Sequence, residues 1–303
     1  MAKNITVPYV PIDEFSWSLN YAGSLPWNQT IWSLIAVFTA VPLWMTVEIT
    51  IWIFYLFRRW SGLYFWSVLI TTWGVTLHAI GFVLTVCVPS CNSILSMVIA
   101  DIGWIGMVTG FAFVMYSRLN LISFVMRNRY ILRLSLAMII VDAIIFHFST
   151  IIIFAIGVFH PSSGKFLPYM NIIERVQIMV FTIQEVILST LYVYGTVKMA
   201  QESFNTHVRK TIVFLIVIQA VAILLDVLII TLDYADYYIL KSFIHSFVYA
   251  VKLQLEFVIL NEFREVISKL APRMEILDMD EEHFRVVNTN KPSNGTKTNR
   301  LGE

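Results

Sequence analysis

A chain of 303 residues with 58% apolar and only 14% charged side chains cannot clothe a soluble domain of that size, where about a quarter of residues are charged. Its mean hydropathy of +0.73 places it among integral membrane proteins. A net charge of +1 and two cysteines leave no basic surface for nucleic acid and no disulfide scaffold.

Residues 1–29 begin MAKNITVPYVPIDEFSW, with neither an apolar core segment nor a small-residue cleavage site, and so do not read as a secretory signal. They are expected to lie outside the membrane. Seven apolar stretches follow, near 30–57, 63–87, 94–116, 132–158, 172–198, 211–232 and 238–260. Each is long enough to cross a bilayer, which takes about 20 helical residues. The expected fold class is an all-α membrane protein, a single seven-transmembrane helix bundle over 30–260. In 261–271, Phe263, Val266, Ile267 and Leu270 alternate with charge, which predicts a short amphipathic interfacial helix ending before Pro272. Residues 272–303, rich in Asn, Lys, Thr and Gly, are expected to form a disordered cytoplasmic tail.

Basic residues set the expected orientation. Arg58 and Arg59, then Arg118, Arg127, Arg129 and Arg133, then Lys198, Arg209 and Lys210, then Arg264, Lys269 and Arg273 all fall on one side. That side is read as cytoplasmic, with the N-terminus outside. The sequons at Asn4 and Asn28 would then face the lumen and accept glycans, Asn4 the better placed, whereas Asn294 would stay unmodified. Cys87 and Cys91 share the outer turn CVPSC, where a disulfide and two free thiols are both open.

The stretches GLYFWSVLITTWGV (62–75), VMYSRLNL (114–121) and VKLQLEFVILN (251–261) resemble an uncharacterised family of fungal seven-transmembrane integral membrane proteins. That family is a domain of unknown function kept beside G-protein-coupled-receptor-like proteins. The resemblance covers about residues 30 to 265. It implies the seven-helix fold and brings no ligand or activity with it. The chain departs from signalling receptors of known type: Tyr116-Ser117-Arg118 has no acid before the arginine, and the seventh span lacks Asn-Pro-x-x-Tyr.

Ionisable residues inside spans are costly and mark functional positions. An inner layer holds Glu48, Glu185, Lys252 and Glu256, with Arg118 near the cytoplasmic end of the third span. Equal depth on adjacent helices makes Glu48 the expected partner of Lys252, with Glu256, one turn on, as a second; Glu256 could also reach Arg118, which is expected beside it or the first inner loop. An outer layer holds His78, Asp101, His147, Asp226 and His245, together with Asp142 nearer the midplane, and is read as a polar ligand pocket, with a satisfied polar network between helices as the alternative. Glu174, Arg175 and Lys241 stand at helix mouths. No HExxH or HxxxH spacing is present, so no metal site is expected. Lys252 lacks the aspartate four residues earlier that retinal proteins carry; Val248 stands there.

The sequence therefore predicts a receptor-like protein, not an enzyme, with no catalytic residue and no cofactor. It would sense an external small molecule or peptide and signal inward, with the lipid bilayer, an unknown extracellular ligand and a heterotrimeric G protein as partners, in the plasma membrane. A proton-coupled transporter or channel is the alternative, and a zinc-dependent intramembrane hydrolase the lesser one.

Overall fold

The computed structural model describes residues 9–17, 25–57, 62–88, 90–126, 129–159, 167–201 and 206–270, with 274–276 and 286–288. Seven helices follow in order: α1 (Gln29–Leu56), α2 (Leu63–Cys87), α3 (Ser93–Met126), α4 (Arg129–Phe159), α5 (Leu167–Gln201), α6 (Thr206–Tyr234) and α7 (Tyr238–Leu270). All seven are long and apolar enough to cross a membrane. Two three-residue strands, β1 (Met274–Ile276) and β2 (Val286–Asn288), pair antiparallel after the bundle. The rest of the expected tail over 272–303 lies outside the described residues. Helix α7 runs unbroken to Leu270, so the separate interfacial helix expected at 261–271 is instead the last turns of α7.

Hydropathy and burial run in opposite directions. The membrane window of α4 has mean hydropathy 2.4 with 11% of its residues buried, while that of α7 has 1.2 with 72% buried. Lipid demands apolar side chains, so the least apolar helix must be the central one. Helix α7 packs against α1, α2 and α6, and α5 against α3, α4 and α6. The backbones of α5 and α7 do not pack closely on each other; the gap between them holds the polar side chains described below.

Local chemistry places the ends. Asn28 caps α1, accepting from the Thr30 amide at 2.9 Å, and its Nδ2 donates to the Val10 carbonyl at 2.8 Å. Gly62, which leads into α2, has φ 133 and ψ 149, a conformation open in practice to glycine. Helix α6 ends in a Schellman turn: Tyr237 N–H donates to the Leu232 carbonyl and Asp236 N–H to that of Asp233. Asp236 takes the left-handed position at φ 60, which aspartate tolerates better than most residues. The turn also delivers Asp233 and Asp236 side by side to one end of the bundle.

Helices α2 and α3 pack backbone to backbone through glycines. A Cβ on Gly103 would lie 2.2 Å from the His78 nitrogen, and one on Gly74 2.4 Å from the Met107 nitrogen. Close approach of this kind is what small residues supply between membrane helices. The segment at 9–17 folds over the same end as Asn28. Phe15 and Trp17 are buried with Leu25, Ile31, Ile35, Ile239 and Phe243, and Ile239 N–H donates to the Trp17 carbonyl at 2.9 Å.

Candidate functional site

One face of α7 carries Lys241, His245, Tyr249, Lys252 and Glu256, at spacings of four, four, three and four residues. At about 100° per residue these share a stripe less than a quarter-turn wide. On α5, Glu174, Gln177, Glu185, Ser189 and Tyr192 make a matching stripe. The two stripes face the α5–α7 gap and build a polar column through the bundle, described here from the N-terminal end.

At that end, Lys241 is buried and donates to Glu174 at 2.6 Å and to Asp233 at 2.7 Å. Arg175 pairs with Asp236 and lies 3.9 Å from Asp233. Beside this network is a cavity of about 250 Å³. Its polar lining includes His78, Asp101, Glu174, Gln177, Lys241 and His245, and its walls include Phe82, Trp104 and Phe154.

The next layer is histidine. His78 Nδ1 and the Ser246 hydroxyl lie 2.6 Å apart. The His245 ring meets His78 edge-on at 5.8 Å and Tyr249 at 5.1 Å. A second void of about 10 Å³, no larger than a water, lies between Asp226, Thr182, His245 and Tyr249. Trp104 and His245 line both cavities.

At mid-membrane, Lys252 is 1% exposed. Its Nζ donates to Glu185 at 2.6 Å and to Asp226, and the Tyr249 hydroxyl donates to the other oxygen of Glu185 at 2.7 Å. The group therefore holds one cation against two carboxylates. Farther on, Ser189 donates to Gln219 at 2.8 Å. The column ends where Arg118 pairs with Glu256 and lies over the Tyr192 ring at 4.1 Å, all three buried.

Several sequence-based assignments change. Lys252 does not meet Glu48. Helix α1 does adjoin α7, but Lys252 points away from it into the α5–α7 gap. Glu48 is half-buried beside the Met45–Ile49–Ile53 stripe, with no hydrogen bond or ion pair among the described residues. Glu256 does not meet Lys252 either, because Arg118 takes it. Asp226 leaves the expected ligand layer and joins Lys252. Side chains lean toward their own helix N-terminus. Lys252 therefore leans toward the Tyr238 end, and Asp226, on an antiparallel helix, leans the opposite way to meet it.

His78, Asp101 and His245 do line the large cavity. His147 does not: its Nε2 lies 2.6 Å from the Thr109 hydroxyl, and its ring stacks on Phe181. Among the described residues no three His, Cys, Asp or Glu side chains form a metal-binding group. Cys87 and Cys91 are free thiols. Asn28 is 5% exposed and its Nδ2, the atom a glycan would occupy, is bonded to Val10. Asn4 and Asn294 lie outside the described residues. Asp233, Gln177 and Tyr249 were missed by sequence reasoning. The regular polar stripe on α7 was the signal that could have found Tyr249.

The family model of a domain of unknown function, DUF7703, matches residues 22–272. The chain belongs to this family. The match spans the whole bundle, from the segment before α1 to the end of α7. No curated protein and no solved structure matches the chain.

Proposed function

We propose that this protein is a receptor-like membrane protein. A small molecule enters the cavity at the N-terminal end, and the α5–α7 gap carries the change of state to the other end. The cavity carries this reading, because the helices that line it hold the charges farther along. Its α5 and α7 walls are the helices joined by Lys252 and Glu185, so any ligand that draws them together or apart loads that buried ion group. Arg118 and Glu256 stand at the far end as the readout. The basic bias of the loops supports an N-terminus outside and a cytoplasmic readout, at the plasma membrane, where a G protein is the partner such a readout would serve.

The test is native mass spectrometry of the purified protein, together with a fluorophore on Lys198→Cys in a background where both native cysteines are serine. A co-purified small molecule should be lost from Ile153→Trp, which fills the cavity. Adding that molecule back should change the Lys198 probe signal in the parent protein and not in Ile153→Trp.

A second reading, a proton-coupled transporter, is favoured by the polar column itself and by the surplus carboxylate at Lys252, a natural place to carry a proton. Reconstituted vesicles loaded with a pH dye separate the two. Substrate-driven proton entry that Asp226→Asn abolishes would select the transporter.

A further inference from the structure

We propose that the large cavity takes a small organic cation, an amine on an apolar body that also carries a hydrogen-bond acceptor. This rests on the cavity being a ligand site and goes further by naming the chemical class.

The charge around the cavity is negative. Among the described residues Lys241 is the cavity's one lysine or arginine, and that ammonium is already held by Glu174 at 2.6 Å and Asp233 at 2.7 Å. Arg175, behind it, is taken by Asp236 and Asp233. Asp101 lines the cavity with no hydrogen bond or ion pair among the described residues. A carboxylate at membrane depth without a partner is expensive, and an ammonium group would satisfy it. Phe82, Trp104, Phe154 and Tyr238 wall the same space, and aromatic faces attract desolvated cations.

An independent observation concerns Gln177, which is 1% exposed and lines the cavity. Its Oε1 accepts from Thr150 at 3.0 Å, while its Nε2 has no hydrogen-bond partner among the described residues. Buried amide N–H groups are rarely left unpaired, so this one calls for an acceptor on the occupant. His245, also buried and lining the cavity, makes ring contacts but no hydrogen bond among the described residues. The occupant these groups fit offers a positive head to Asp101 and an oxygen to Gln177.

Three probes share one body and differ only in the head: tyramine, the neutral alcohol tyrosol, and the anion 4-hydroxyphenylacetate. Thermal stabilisation of the purified protein is measured against the concentration of each. Tyramine should stabilise, and the other two should not at matched concentration. Asp101→Asn should weaken tyramine about ten- to a hundredfold, the loss of one hydrogen bond to a charged group. Asp101→Glu should restore part of it. Gln177→Leu gives a second route should Asp101→Asn fail to fold, and should weaken tyramine as well. Equal stabilisation by tyrosol or 4-hydroxyphenylacetate, or a tyramine response indifferent to Asp101→Asn, would overturn the inference. If either of those two acts and Ile153→Trp removes its effect, the cation assignment falls and the cavity stands as a ligand site. If none of the three acts, the inference falls, and the Lys198 probe with the co-purified molecule decides the receptor reading separately.

Discussion

Lys241 and Lys252 stand about three helical turns apart on α7, and each lies between one carboxylate of α5 and one of α6. Lys241 holds Glu174 and Asp233, and Lys252 holds Glu185 and Asp226. The same clamp is thus built twice, once beside the cavity and once at mid-membrane. Helices α5 and α7, whose backbones do not pack closely, are joined by lysine side chains long enough to cross the gap.

The Lys252 group should respond to mutation asymmetrically. Removing the cation strands two carboxylates, whereas removing one carboxylate leaves a neutral pair. Breaking a buried pair from one side costs about 3–5 kcal/mol. Lys252→Met should therefore lower the melting temperature in detergent far more than Asp226→Asn. Adding Glu185→Gln and Asp226→Asn to Lys252→Met should recover much of the loss. Equal losses from Lys252→Met and Asp226→Asn would refute the charge count.

Glu48 should be uncoupled from Lys252. Glu48→Gln should change the melting temperature little, and its effect should add to that of Lys252→Met, as expected of residues without shared partners. A non-additive rescue in the double variant would restore the α1–α7 pairing and contradict the geometry described above.

The glycines of α3 should differ in tolerance. A Cβ at Gly103 meets the His78 backbone nitrogen at 2.2 Å, whereas one at Gly106 finds its nearest neighbour at 3.5 Å, ordinary contact. Gly103→Ala should force α2 and α3 apart and sharply reduce folded yield. Gly106→Ala should fold like the parent, and gains slightly from alanine's helix propensity. Size-exclusion profiles of the two variants decide the matter.

Arg118→Ala leaves Glu256 buried without its cation and removes the contact with the Tyr192 ring. It should destabilise by about 3–5 kcal/mol, and Glu256→Gln on top should recover part of that. If the pair is also the readout, the double variant should regain thermal stability while the Lys198 probe stays silent to ligand. A recovered probe response would make the pair structural only.

Expressed in a eukaryotic cell, the protein should lose its glycan mass shift with Asn4→Gln and keep it with Asn28→Gln, since Asn28 spends its carboxamide on Thr30 and Val10. Asn28→Ala should instead show as a loss of stability of about 1 kcal/mol, the worth of an N-cap. A glycan at Asn294 would reverse the orientation.

Seven helices were legible from apolar length alone, because lipid leaves a spanning backbone few alternatives to closing its hydrogen bonds within each segment. The expected second span, near 63–87, coincides with α2. The cost of burying charge likewise singled out Lys252, Glu185, Asp226 and Asp101 in advance, since each is an exception within an apolar segment. Depth along a helix also follows from counting residues. What counting could not supply was azimuth. Glu48 and Lys252 share a depth and belong to adjacent helices, yet Lys252 turns toward α5 and α6. Which face of each helix looks inward depends on how all seven pack, and the glycine seam between α2 and α3 and the open gap between α5 and α7 exist only in the assembled bundle. The cavity, the doubled clamp and the unpaired Gln177 nitrogen are properties of that gap, so only the tertiary structure decided them.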